Sequence, residues 1–257
     1  MSQVISTLRQ ARYENLAFWR NPASAFFTFA FPLMFLVIFT SIFGSGEVPV
    51  AGGIRVSTST FYVTAILSFS VITACYTNIA ISVTFSRDEG VLKRVHGTPL
   101  PPWSYLMGKV LHSMFLMVLL VVIVVAFGAL FYDAEPPTDN LGIFLLTLSV
   151  GAATFCVLGL AITAACPNAE AAPAVVNASI LPLLFISDIF IPLDQAPEWL
   201  TTVSGLFPVI HFAEAMQAAY FDPTGTAFEV SDLLWVAGWG LAGLILAVRF
   251  FSWEPRR

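Results

Sequence analysis

"RDEGVLKRVHGTPLPP", residues 87–102, places five charged side chains and a histidine between two long blocks, 56–86 and 110–132, that carry no charge at all. The segment ends in Thr98-Pro99 and Pro101-Pro102, which no uninterrupted helix accommodates. It must therefore lie outside whatever the flanking blocks are buried in. Working outward, residues 23–43, 140–168 and 171–187 are also uncharged, and 233–248 forms a shorter block. A helix needs about 20 mostly apolar residues to cross a bilayer. Of the 257 residues, 58% are hydrophobic and 11% charged, whereas a soluble domain is about a quarter charged. Mean hydropathy is +0.84. The expected fold class is an all-α integral membrane protein with six transmembrane helices, residues 1–257 forming one transmembrane domain.

The basic residues assign the sides. With six spans, one side receives Arg9, Arg12, Arg20, Arg87, Lys93, Arg94, Lys109, Arg249, Arg256 and Arg257, and the other receives Arg55 alone. That bias predicts cytoplasmic N- and C-termini in a plasma (inner) membrane. The net charge of −5 says little about nucleic acid, because the charges are sorted by side, and no nucleic-acid partner is expected. The N-terminus does not read as a cleaved signal, because about twenty polar residues precede its first apolar block.

Residues 1–22 read as an interfacial helix on the inner surface. Val4, Leu8, Ala11, Leu16, Phe18 and Trp19 supply apolar contacts, and Arg9, Arg12 and Arg20 meet lipid headgroups. The first outer loop, "GSGEVPVAGGIRVSTST" (residues 44–60), reads as a flexible glycine-rich turn. Residues 193–232 are predicted to form outer re-entrant or interfacial helices. The apolar stretch 200–213 is too short to span and is broken at Phe207-Pro208. Trp199, Phe207, Phe212 and Tyr220 suit an interface.

Catalytic chemistry finds little support. His211 and Glu214 are three apart and can share a helical face, but three histidines and no HExxH leave a metal site short of ligands. They read as a polar edge at the outer surface, and no metal is expected. Cys75, Cys156 and Cys166 lack CxxC spacing and read as packing residues. Scattered hydroxyls without a partner base make no nucleophilic triad. Asp188, in "LLFISDIFIP", is an ionisable group in an apolar stretch. It reads either as a pathway residue or as a solvated helix end. Tyr76 and Asn78 in the second span, with Asn177 and Ser179 in the fifth, are the candidates for a polar seam lining a substrate pathway. Each one singly is also compatible with helix–helix packing.

The inner loop carries the most information. "SRDEGVLKRVHG" can form a short helix that displays Arg87, Glu89, Lys93 and Arg94, with Gly97 ending it and Pro99 blocking continuation. Such a loop suits a docking surface better than a bare topogenic anchor. The run "RDEGVLKRVHGTPLPPWSYLMGK" (87–109) resembles a pattern in the membrane subunits of type-two ABC exporters, multidrug and antibiotic-export branch. There an acidic-Gly-hydrophobic run, a basic pair and a Thr-Pro follow the second span. "ISDIFIPLDQAPEWLTTVSGLFPVIHFAEAM" (186–216) is similar to that family's Pro-x-Trp-Leu region after the fifth span. It departs in having Asp188 where the family has glycine, and Phe207-Pro208 and Ile210-His211 in place of the usual Asn-Pro and Thr-Tyr.

The resemblance implies a permease that pairs as a homodimer or heterodimer around a central path, seated on two copies of an ABC ATP-binding subunit. Residues 89–96 would be the coupling helix. Arg87, Glu89, Gly90, Lys93, Arg94 and His96 would contact the ATPase, with Glu170 added from the short inner connection 166–171. No Gly-x-x-x-x-Gly-Lys-Ser/Thr pattern occurs, so ATP and Mg are expected on the partner and no cofactor on this chain. The expected function is export of amphipathic or hydrophobic compounds, whether drug, antibiotic or lipid, by a chain that is not itself an enzyme. A lipid-linked glycan exporter of the same family is one alternative. An ion-coupled carrier using Asp188 is another, from a different class; the absence of an internal repeat speaks against it.

Overall fold

The computed structural model describes residues 3–43, 46–49, 55–98, 100–138, 140–187, 189–190, 197–221 and 230–254. Helix α1 (Gln3–Trp19) is separated from α2 (Pro22–Phe43) by a corner at Asn21. There the Asn21 carboxamide oxygen accepts from the Ser24 amide at 3.2 Å. Pro22 supplies a first-turn residue that lacks a donor in any case.

The described residues of the 44–60 loop include two short strands. Strands β1 (Glu47–Pro49) and β2 (Arg55–Ser57) pair antiparallel, with Val48 opposite Val56. Thr58 fastens the hairpin to the next helix, its amide and hydroxyl both donating to the Gly46 carbonyl at 2.9 Å.

The second span is the centre of the bundle. It runs as α3 (Thr58–Ile72), one π-helical turn (Thr73–Thr77) and α4 (Asn78–Asp88). The Ser57 hydroxyl caps it, accepting from the Thr60 amide at 3.2 Å. Helices α2, α6 (Pro102–Tyr132), α7 (Leu141–Ile162) and α10 (Pro208–Phe221) pack around α3. Four of its buried hydroxyls bond within the span. Thr64, Ser68, Ser70 and Thr84 each donate to the carbonyl four residues earlier, at 3.1, 3.2, 2.6 and 2.7 Å. A polar side chain so satisfied is buried without needing a partner helix.

After α4, Gly90 takes a left-handed conformation (φ 72°) and turns the chain into α5 (Val91–His96). A residue with a Cβ is disfavoured there. Helix α7 is followed by a turn over 163–171, then α8 (Ala172–Phe185), α9 (Glu198–Ser204), α10 and α11 (Val230–Phe250). Helix α11 lies along α7.

Five helices among the described residues are long and apolar enough to cross a membrane: Pro22–Phe43, Thr58–Asp88, Trp103–Tyr132, Leu141–Ile162 and Val230–Phe250. The predicted fifth span is shorter than expected. Helix α8 has 14 residues, about 21 Å at 1.5 Å per residue, against about 30 Å of hydrocarbon.

The aromatics between α9 and α11 also differ from expectation. Phe212 and Tyr220 are in the core and not at an interface. Phe212 meets Phe155 edge-on at 5.3 Å. It fills the space over Gly151, where a Cβ would come within 2.1 Å of its ring. Trp199 is exposed as expected.

Candidate functional site

At one end of the bundle the chain builds a single interlocked unit from α4, α5 and the 163–171 turn. Arg87, expected among the displayed charges, is instead almost completely buried. Its guanidinium donates to the Thr163 carbonyl at 2.9 Å and to the Cys166 carbonyl at 2.5 Å. Those carbonyls follow the C-terminus of α7, where oxygens lack intrahelical donors and a cation is favoured. Asp88 completes the clasp, its carboxylate accepting from the Ala169 amide at 2.8 Å. Asn168 then accepts from the Ala171 amide at 2.8 Å, starting α8.

Helix α5 is seated by Leu92, which is fully buried, and by the partly buried Val91 and Val95. Its other side carries exposed Lys93 and Arg94, with Glu89 before it; Glu170 is exposed on the adjoining turn. Lys93 also reaches Glu254 beyond α11 at 3.5 Å. The side chain of His96 lies outside the described residues. The structure thus leaves Glu89, Lys93, Arg94 and Glu170 available at one end, and turns Arg87 inward.

Helix α1 packs along α6. A Cβ on Gly108 would fall 2.5 Å from the Gln10 side chain, so only glycine permits that approach. Beside it Lys109, counted above among the topogenic charges, donates to Glu14 at 3.0 Å with little exposure of either side chain. Phe18 stands edge-on to His112 at 5.5 Å. Phe18 and Ala11 therefore face protein, and Val4, Ile5, Leu8, Leu16 and Trp19 form the exposed apolar face with Arg12 and Arg20 also exposed.

Of the pathway candidates, Tyr76, Asn78 and Asn177 do not converge. Tyr76, in the π-helical turn, shares a 2.6 Å hydrogen bond with Ser179 of α8. The pair lies on the wall of a cavity of about 500 Å³ whose other walls include Phe155, Leu158, Leu183 and Trp239. Asn78 points to a different side of the span and donates to Ser113 of α6 at 3.2 Å. It borders a second cavity of about 320 Å³ with Thr28 and Pro32 of α2. Asn177 is exposed, facing away from Tyr76's partner Ser179. Asp188 lies outside the described residues.

Two features of the seam had no sequence signal. The π-helical turn carries no composition of its own, and such turns often sit at functional sites. Gly159 of α7 abuts that turn so closely that a Cβ would lie 2.7 Å from the Tyr76 carbonyl oxygen. A lone glycine in an apolar helix does not reveal which backbone it approaches.

The family model for the ABC-2 type transporter matches residues 8–221, from the first helix to the end of α10. The chain belongs to the ABC-2 type transporter family. This ABC-2 chain is 24% identical over 162 residues to the probable multidrug ABC transporter permease YbhR of Escherichia coli K12, covering 63% of its own length and 42% of that protein. It is 26% identical over 229 residues to the putative transport permease ycf38 of Porphyra purpurea, covering 88% and 76%. With ycf38 of Cyanophora paradoxa it shares 28% over 193 residues, covering 74% and 65%. The chain thus spans less than half the length of the first of these relatives. The family and the apolar helices make it a multi-pass membrane protein.

Proposed function

We propose that this chain is the permease subunit of an ATP-driven exporter that moves amphipathic or hydrophobic compounds out across the plasma membrane, energised by a separate ATP-binding subunit. The observation that carries this reading is the clasped unit of α4, α5 and the 163–171 turn. It presents Glu89, Lys93, Arg94 and Glu170 together, held to the central span by the buried Arg87. A mixed-charge surface on a rigid support gives a docking partner register and orientation, and force applied there passes directly into the second span. The relatives named as permeases support the transport role.

On this reading the α5 end is cytoplasmic, with both termini on that side, and α8 with the residues after it makes the sixth crossing. Two permeases and two ATP-binding subunits form the complex. The walls of the 500 Å³ cavity are apolar apart from Tyr76, Ser179 and the indole of Trp239, which favours cargo with a large apolar surface and few polar groups.

Combined reversal of Glu89→Lys and Arg94→Glu tests the docking surface. Both side chains are exposed, so the fold and membrane insertion persist, while ATP-dependent efflux and co-purification of the ATP-binding subunit are lost. Efflux at the wild-type rate in a correctly inserted double mutant refutes the docking role.

A further inference from the structure

At the end of α11 opposite the one that Lys93 and Glu254 join, three side chains from two helices converge. His211 and Glu214 sit one helical turn apart on α10, and Asp232 lies in the first turn of α11. The site is about 27 Å along α11 from Phe250, at 1.5 Å per residue. The His211 Nδ1 is 2.8 Å from an Asp232 carboxylate oxygen and 3.9 Å from a Glu214 carboxylate oxygen. One ligand atom from each of the three residues lies within 4.8 Å of the others.

The far side of the imidazole decides what this cluster can hold. His211 Nε2 is 2.9 Å from the Gly205 carbonyl oxygen. A carbonyl can only accept, so Nε2 carries the hydrogen of that bond. With Nε2 donating, the ring's Nδ1 faces both carboxylates, and a positive charge is favoured between them. A single proton on Nδ1 satisfies one carboxylate. Two carboxylates and a neutral imidazole around one point carry the charge that a divalent cation neutralises. A ligating histidine typically donates its other nitrogen to a backbone carbonyl in this manner.

We infer that His211, Glu214 and Asp232 form a binding site for a zinc-class divalent cation, which clamps α10 to the start of α11. With metal–ligand distances of about 2.0–2.1 Å, tetrahedral ligand atoms stand about 3.3 Å apart. The 2.8 and 3.9 Å separations straddle that value, and rotation of the Glu214 side chain closes the difference. Three protein ligands leave a fourth position for water.

The support is already in place. Trp235 flanks the His211 ring at 5.6 Å. Trp239 donates to the Leu206 carbonyl at 3.0 Å, fixing the α9–α10 junction beside Gly205. Entry is from the Glu214 side: its side chain is 43% exposed, against 21% for His211 and 17% for Asp232.

The test uses the full chain in detergent, stripped with a chelator and titrated with zinc chloride, with cobalt as a spectroscopic probe. The wild type takes up one zinc per chain, gives the strong visible bands of four-coordinate cobalt, and unfolds at a higher temperature with zinc than without. Glu214→Gln, at a half-exposed position, binds at least tenfold more weakly. His211→Gln and Asp232→Asn lose both the cobalt bands and the thermal shift. A wild type that binds no zinc carries only a proton-bridged histidine–carboxylate pair, and overturns the inference. Equal zinc affinity in Glu214→Gln places the metal elsewhere and also overturns it, as does preference for calcium or magnesium over zinc.

Discussion

Replacing Arg87 with methionine separates its cation from its bulk. The side chain is buried, and its guanidinium holds the Thr163 and Cys166 carbonyls. A hydrogen bond to a charged group contributes about 1.5–3 kcal/mol, and a buried acceptor left bare costs about 1–3 kcal/mol. Two such bonds set a range whose lower end applies here, because Ala165, Pro167 and Asn168 in the same turn are exposed and water can reach the freed carbonyls. The expected loss is about 3 kcal/mol, concentrated in the link between α4 and the 163–171 turn. Arg87→Lys recovers about half of it, since one ammonium on a flexible stem cannot serve two carbonyls in fixed directions as the planar guanidinium does.

Hydrogen exchange reads the effect locally. The Ala169 amide is bonded to Asp88 and is protected only while the clasp is closed. Three kcal/mol corresponds to more than a hundredfold faster exchange at about 1.4 kcal/mol per tenfold, with α11 amides unchanged. Thermal unfolding in detergent follows in the same order, wild type above Arg87→Lys above Arg87→Met. An Ala169 exchange rate within threefold of wild type in Arg87→Met refutes the account of this residue as the clasp.

Gly159→Ala is expected to cost about 1–3 kcal/mol, because its Cβ meets the Tyr76 backbone at 2.7 Å and α7 must move away. Gly238→Ala in α11, with nothing within 4 Å of the added atom, is neutral or stabilising by up to about 1 kcal/mol; equal melting temperatures for the two variants refute the packing argument. Lys109→Ala strands Glu14 beneath α1 and costs about 3 kcal/mol. The paired change Lys109→Met with Glu14→Gln recovers most of that stability, as measured by thermal unfolding, whereas an additive loss in the double variant contradicts a coupled pair.

What the sequence made legible follows from what each feature depends on. Long apolar blocks and the glycine-bounded α5 are local properties: five of the six blocks form helices long enough to span, and α5 is in place. The direction in which a side chain points depends on how a helix is rotated against its neighbours, which a charge count does not contain. Arg87 was counted with the displayed cations, yet α4 turns it toward the end of α7. Asp232 drew no site reading from the sequence, yet α11 brings it to His211, twenty-one positions earlier. Phe212 and Tyr220 have the composition of an interface and the surroundings of a core, because α10 is enclosed by α3, α7, α8 and α11.

These rotations bear on how the proposed function would operate. Arg87 fastens the turn after α7 to the end of α4, and the unbroken helix from there to Tyr76 is eleven residues, about 16 Å at the usual rise. A regular helix of that length carries a push at α5 to the π-helical turn with little give. At that turn the second span meets α7 through Gly159, backbone against backbone, and reaches α8 through the Tyr76–Ser179 hydrogen bond. The stiff contact is the Gly159 side, where no side chain can yield. The Tyr76–Ser179 bond is a single link contributing about 0.5–1.5 kcal/mol net, on the wall of the largely apolar cavity. On the proposed function, displacement of α4 would pivot at Gly159 and open or close the cavity at Ser179, so a single polar link lies where cargo access would have to change.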